Sequence, residues 1–134
     1  MSAHATLLPP GWPRPRGYAN GIAANGRMVL TGGVVGWDEQ ERFVSETLAG
    51  QFRQVLANTL AILAEGGAGP EHVVRMTWYV TSVSEYRESL AEIGGAWREL
   101  MGKNFPAMAV VEVTALVEPA ARIEIETLAV VPEP

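Results

Sequence analysis

The chain has 134 residues, 48% of them apolar, which predicts one compact domain with a hydrophobic core. It has no cysteine, which excludes disulfides, thiolate catalysis and cysteine-based zinc sites. We expect neither a membrane span nor a secretory signal, and therefore a cytoplasmic protein with no membrane partner. The net charge of −5 argues against a nucleic-acid partner, since such binders concentrate positive charge.

The N-terminal part of the chain predicts an arm followed by short strands. Residues 1–16 hold four prolines, which fix φ and cannot donate to a β-ladder, so we expect an extended arm there and a domain over 17–134. In "GYANGIAANGRMVLTGGVV", two short strands flank Asn25-Gly26, a pair that suits a tight hairpin. Gly32-Gly33 in the second strand indicates either a bulge or a group that approaches the backbone closely.

Two amphipathic helices follow, with a strand between them. The first runs from a cap at Ser45 to Gly66-Gly67, with apolar residues at helical spacing. The β-branched and aromatic "VVRMTWYVT" predicts a strand. The second helix begins near Ser82, which has capping-box spacing to Glu85, and the pair Gly94-Gly95 should weaken it.

The strands "AMAVVEV" and "ARIEIETLAVV" complete the order β-β-α-β-α-β-β, an α+β domain. Two helices cover only one face of a sheet, yet "MVLTGGVV" and "AMAVVEV" are apolar on both faces. The second face must be buried elsewhere, and association with other copies in closed symmetry does this most simply. His4 and His72 lack metal-ligand spacing, so we predict no metal site.

This order and several strings resemble the RidA/YjgF family of reactive intermediate deaminases, some of which carry the older name L-PSP endoribonuclease. The similarity extends from about Gly17 to Val131 and includes "GYANGI", "RMVLTGG" and "VVRMTWYV". Its most specific part is "FPAMAVVEV" followed by "RIEIETLAV". The resemblance implies a chorismate-mutase-like domain whose mixed sheet carries two helices on one face and forms a homotrimeric barrel. It also implies small-molecule clefts at the subunit interfaces and cofactor-free hydrolysis of imines or enamines to keto acid and ammonia.

Two catalytic residues carry over from this resemblance. The family's cleft tyrosine matches Tyr18, and its water-positioning glutamate matches Glu124, which would act as a general base. Each has a structural alternative. Glu124 is an equally good candidate for a strand acid that is either solvated or ion-paired with Arg122, two residues away. Tyr18 is a candidate for an interface aromatic with a polar tip.

The ligand pocket implied by the resemblance departs from the family's pattern at four positions. Met108 stands where the family has a carboxylate-binding arginine, and Gly32 where it has a serine. Val34 replaces a polar residue, and Leu90 aligns with a cleft asparagine. An arginine binds a carboxylate through two charge-assisted hydrogen bonds, whereas methionine offers no donor. The pocket should therefore favour neutral or apolar ligands.

Three functions follow from the sequence. The first is a RidA-like hydrolase that deaminates an enamine or imine without the usual carboxylate contact. The second is a trimer that binds a small apolar ligand without chemistry. The third is an endoribonuclease, which the acidic charge disfavours. Either Arg14 or Arg16 of the arm could replace the missing arginine, although a solvated arm is the simpler expectation.

Overall fold

The computed structural model describes residues 4–134, which form seven strands and three α-helices. Residues 1–3 of the predicted arm lie outside the described residues. The strands are β1 (Ala5–Leu7), β2 (Gly21–Ala23), β3 (Arg27–Leu30), β4 (Val34–Val35), β5 (Val73–Val80), β6 (Ala107–Glu112) and β7 (Ile123–Val131). The helices are α1 (Leu48–Glu65), α2 (Val83–Glu88) and α3 (Leu90–Met101), and a 3₁₀ turn at Pro70–His72 precedes β5.

The main sheet is mixed and has the strand order β3-β7-β5-β6, with β4 also paired to β7. Strands β5 and β6 are parallel, and the other pairs are antiparallel. A parallel pair needs a long crossover connection, which α2 and α3 provide here. The predicted α+β class with a mixed sheet is confirmed.

The helices cover one face of this sheet, and the hydrophobic core lies between the two layers. On β5, Met76, Trp78 and Val80 are buried toward the helices, whereas Arg75 and Tyr79 lie on the other face. This is the alternation predicted from the sequence. Within residues 4–134, no helix is both long and apolar enough to cross a membrane.

The first helix begins two residues later than predicted. Its cap is Thr47, whose Oγ1 accepts a hydrogen bond from the Gly50 N–H at 3.1 Å. Ser45 instead accepts from the Thr47 N–H at 3.1 Å and supports the true cap. The helix ends at Gly66, and Gly67 follows in a left-handed conformation with φ +76°, as the glycine pair predicted.

The second predicted helix is divided in two. Ser82 caps α2 and accepts from the Glu85 N–H at 3.1 Å, as expected. The helix is then interrupted at Ser89, whose hydroxyl donates to the Glu85 carbonyl at 2.7 Å. Serine competes in this way for the backbone acceptors of a helix. The pair Gly94-Gly95 does not interrupt the helix, since α3 runs through both residues; its cost in helix stability stays a prediction.

The predicted hairpin at Asn25-Gly26 is also wrong. β2 pairs with β1 of the arm, while β3 pairs with β7, so the flanking strands do not pair with each other. Gly26 has φ +147°, and a Cβ there would collide with the Val131 carbonyl. The glycine therefore serves a close approach of β7 rather than a hairpin turn.

The face of the sheet opposite the helices is open in the single chain. Met28 and Leu30 of β3 are 64% and 62% exposed. Val111 of β6 is exposed as well. Large apolar side chains on one open surface mark a region that another molecule covers.

Candidate functional site

A groove of about 580 Å³ opens on the helix side of the sheet, beside the edge strand β6. We call it the Met108 groove. Its walls are the arm, the strands β5 and β6 and the helices α2 and α3, with Tyr18, Trp78, Leu90, Trp97, Phe105 and Met108 among the lining residues.

The parallel register of β5 and β6 places Met108 in this groove. Met108 pairs with Met76, and Val110 pairs with Trp78, so all four side chains share the helix face. Met76 is fully buried, but Met108 and Val110 lie on the sheet edge and are only partly covered. Met108 thus packs against the core on one side and borders the groove on the other.

The arm brings Tyr18 to the same groove. The Ala19 N–H donates to the Pro106 carbonyl at 2.9 Å, and Ala19 bridges to the start of β6. Tyr18 remains 43% exposed, and Leu90, at the start of α3, is 51% exposed. The structure therefore brings together three of the predicted site residues: Tyr18, Leu90 and Met108.

Aromatic rings form much of the groove wall. Trp78 and Trp97 have ring centroids 6.0 Å apart, and Trp97 stacks on Phe105 at 6.2 Å with 11° between the planes. Tyr86 meets Trp78 edge-on at 6.4 Å. Burial raises the pKa of Tyr86, so its phenol is protonated at neutral pH. Such a wall is suited to a flat apolar ligand.

The polar groups of the groove are mainly donors. Arg16 of the arm and Arg98 of α3 line it, and none of its described lining residues is acidic. Within residues 4–134, neither guanidinium group has a hydrogen-bonded or ion-paired partner. The indole N–H groups of Trp78 and Trp97 are buried and also lack an acceptor. The surroundings are therefore electropositive, although the chain carries a net charge of −5.

Glu124 lies on the other face of the sheet. It pairs with Val35 and Tyr79, so its side chain is directed away from the helices. The Tyr79 hydroxyl donates to Glu126 at 2.7 Å, and this hydrogen bond, desolvation and the charges of Glu126 and Glu124 raise the pKa of Tyr79. Across residues 4–134, the Glu124 carboxylate has no hydrogen-bond or ion-pair partner.

Of the two structural alternatives for Glu124, the ion pair with Arg122 is wrong, whereas a solvated strand acid agrees with the structure. Arg122 Nη1 lies 2.9 Å from Glu85 Oε1. The Leu48 N–H donates to the other oxygen of Glu85 at 3.1 Å. Arg122, directly before β7, is therefore linked through Glu85 to α1 and α2. The Glu124 carboxylate does not pair with it.

The Gly32-Gly33 segment adjoins Glu124, and both alternatives for it are correct. Leu30 pairs with Leu128 and Val34 pairs with Ile125, so the segment from β3 to β4 contains one more residue than the matching segment of β7. This is a bulge. A Cβ on Gly33 would also collide with the Glu124 carboxylate, whereas no atom lies within 4 Å of one on Gly32. A side chain at position 33 would therefore displace the Glu124 carboxylate.

Val34 does not line the Met108 groove. It is 8% exposed and belongs to the hydrophobic core. In one chain, the predicted site residues thus divide into two groups, Tyr18, Leu90 and Met108 around the groove, and Gly32, Val34 and Glu124 along β7.

Comparison with known proteins identifies the family. A sequence profile described as Endoribonuclease L-PSP matches residues 13–131. A RutC family protein from Synechocystis sp. is 33% identical over 123 residues, covering 90% of this chain and 91% of that protein. The chain belongs to the RidA/YjgF family.

Solved structures of RidA/YjgF proteins share this fold. A conserved Rid family protein of unknown function from Yersinia pestis superposes with a TM-score of 0.85 at 30% identity, over 96% of this chain and 99% of that one. RidA from an Antarctic Psychrobacter superposes with a TM-score of 0.68 at 25% identity, over 95% and 99%.

Within this RidA-family chain, sequence analysis missed Arg98 as a groove residue. A signal was present, because Leu90, Gly94 and Arg98 recur every four residues on one face of α3. The Arg98 guanidinium folds back over that face, with Nη1 3.5 Å from where a Cβ on Gly94 would lie. Trp78 both packs in the core and lines the groove.

Proposed function

We propose that this protein is a RidA-like hydrolase that deaminates a reactive imine or enamine, with a substrate class altered by the lack of an arginine at position 108. The observation that carries the proposal is the convergence of Tyr18, Leu90 and Met108 on one groove. These are positions where the resemblance implies a ligand cleft. The family assignment supports the same class of chemistry.

Glu124 supplies the base in this proposal. Its carboxylate accepts a proton from water, and the oxygen of that water attacks the imine carbon. The resulting tetrahedral carbon carries one hydroxyl and one amino group. The first proton passes from Glu124 to the nitrogen in this step. The carboxylate then moves the hydroxyl proton to the amino group as the C–N bond breaks, so imine and water give a carbonyl compound and ammonia without an oxidant or cofactor. A carboxylate with no fixed partner among the described residues suits this role.

The site is completed by a second copy of the chain. Met108 and Glu124 point to opposite faces of one sheet, so they cannot act together within one subunit. The open face with Met28 and Leu30 provides apolar area for association. In the proposed homotrimer, the open sheet face around Gly32 and Glu124 of one subunit lies against the Met108 groove of its neighbour.

The pocket residues that differ from the family's pattern narrow the range of substrates. Met108, Leu90 and Gly32 offer no side-chain donor for a substrate carboxylate. A carboxylate held at position 108 itself would find no donor in the Met108 side chain, which is costly. Small imino acids that depend on a contact at position 108 should therefore react slowly. Larger apolar imines should react faster.

The same apolar lining favours a second candidate, a trimer that binds a small molecule without chemistry. A coupled assay separates the two functions. An amino acid oxidase generates the imine of phenylalanine or leucine in situ, and semicarbazide traps the imine that survives. The hydrolase should lower semicarbazone formation, and Glu124→Gln should abolish this effect. Glu126→Gln, two residues away on the same face, is the matched control.

A result in which the wild-type protein leaves semicarbazone formation unchanged for large and small imines alike would overturn the hydrolase and favour the binding trimer. Incubation with single-stranded RNA tests the older ribonuclease name in the same preparation. Given the net charge of −5, we expect no cleavage.

A further inference from the structure

We infer that the Met108 groove holds its ligand through an anion subsite formed by Arg16 and Arg98, and that the ligand combines a flat apolar body with one carboxylate. The inference rests on the proposed function only in taking this groove as the ligand site. It moves the anion contact from position 108 to the arm and α3.

The shape and chemistry of the wall define the apolar part of the ligand. Phe105, stacked on Trp97, is 40% exposed, and Met108 is partly covered. Leu90 is exposed as well. An aromatic or branched aliphatic body that covers these side chains removes apolar surface from water on both partners. A ligand as small as a three-carbon imino acid would leave most of this wall exposed.

The charge of the groove defines the polar part. Arg16 and Arg98 come from separate elements and both line this groove, and no acidic side chain among its described residues offsets them. The Arg98 guanidinium lies back over Gly94, a groove residue, rather than extending away from the helix. Guanidinium groups bind carboxylates through parallel charge-assisted hydrogen bonds.

The neighbouring basic residues do not share this position. Arg14 is two residues from Arg16 but lines an adjoining groove, which shares Tyr18 and Phe105 with the Met108 groove and also contains Lys103 and Glu71. Arg87 lies on α2 and does not line the Met108 groove. Arg14→Gln and Arg87→Gln therefore remove the same charge as Arg16→Gln and Arg98→Gln without touching the proposed subsite.

The test is a titration with 3-phenylpropionate and its neutral amide, followed by NMR of the tryptophan indole N–H signals. Trp78 and Trp97 report from the groove, and Trp37, which packs on Phe43 elsewhere, is the internal control. We expect the acid to shift the groove signals only, and to bind more tightly than the amide. Arg16→Gln and Arg98→Gln should each weaken acid binding about three- to tenfold, with salt doing the same.

The two control variants should bind the acid like the wild type. Equal affinity for acid and amide would overturn the inference, as would equal losses in Arg14→Gln and Arg16→Gln, or no shift at Trp78 and Trp97. Acid binding without imine hydrolysis would leave the inference standing and remove the proposed hydrolase. Hydrolysis with equal binding of acid and amide would do the reverse.

Discussion

Replacing Met108 with arginine should create the carboxylate contact that the groove lacks at this position. Met108 packs against the core with its inner part and borders the groove with its outer part. The aliphatic stem of arginine can occupy the same volume while its guanidinium reaches the groove. The substitution therefore adds a charged donor beside Tyr18 with little loss of packing.

The expected gain follows from the strength of one such contact. A hydrogen bond to a charged group contributes about 1.5–3 kcal/mol, and partial exposure of the groove favours the lower end. A gain of about 2 kcal/mol in transition-state binding corresponds to a roughly thirtyfold higher kcat/KM for a small imino acid such as that from alanine.

The assay is the oxidase and semicarbazide competition, with alanine as the source of the imine. Met108→Leu is the apolar control and should remain as slow as the wild type. Thermal unfolding must show that both variants are folded. A folded Met108→Arg protein without any gain on the alanine imine would show that position 108 does not contact the substrate carboxylate.

Two predictions concern stability. The buried Gln51 amide donates to the carbonyls of Ser45 and Ala120 at 3.0 and 2.9 Å, and its oxygen accepts from the Arg122 N–H at 2.7 Å. Gln51→Ala should therefore lower the free energy of unfolding, measured by urea titration, by about 2–4 kcal/mol. The control is Gln54→Ala, on the next turn of α1, where the glutamine is only partly buried. A loss for Gln51→Ala no larger than that of Gln54→Ala would contradict this. Gly33→Ala should lower Tm slightly more than Gly32→Ala, because its Cβ must push the flexible end of Glu124 aside, whereas a Cβ on Gly32 has open space. Equal Tm values for the two variants would contradict the close approach.

The regular elements were predictable because their signals are local. Helix α1 follows from apolar residues at helical spacing, and the two faces of β5 follow from strict alternation around Trp78. The cap was misplaced by two residues because Ser45 and Thr47 are both good caps. Only the hydrogen bonds show that Thr47 accepts from the helix, at the Gly50 N–H, and that Ser45 accepts from Thr47. The break at Ser89 depends on a single hydroxyl, which the helical pattern does not reveal.

The long-range pairings were not predictable from local pattern. Asn25-Gly26 suits a hairpin turn, but the strands on either side of it pair with other strands. β2 pairs with β1 of the arm, and β3 pairs with β7. The role of Gly26 is visible only once Val131 is known to lie against it. Local propensity gives way in such cases to tertiary contacts.

The candidate site was only partly accessible for the same reason. The resemblance brought Tyr18, Leu90 and Met108 to attention, and the fold places them together. It gave no indication that Met108 and Glu124 lie on opposite faces of one subunit, because this depends on the register of three strands. Arg98 had only its helical spacing to mark it.

Mixed oligomers test most directly the central claim that one chain's groove works with another chain's Glu124. Tyr18→Phe and Glu124→Gln, each expected to be inactive alone, are co-expressed in equal amounts, and imine hydrolysis is measured on the purified mixture. With random assembly, one site in four pairs an intact groove with an intact Glu124 from the neighbour, so activity should return to about a quarter of the wild-type value. A mixture as inactive as its parents, with mixed oligomers confirmed by native mass spectrometry, would contradict the shared site.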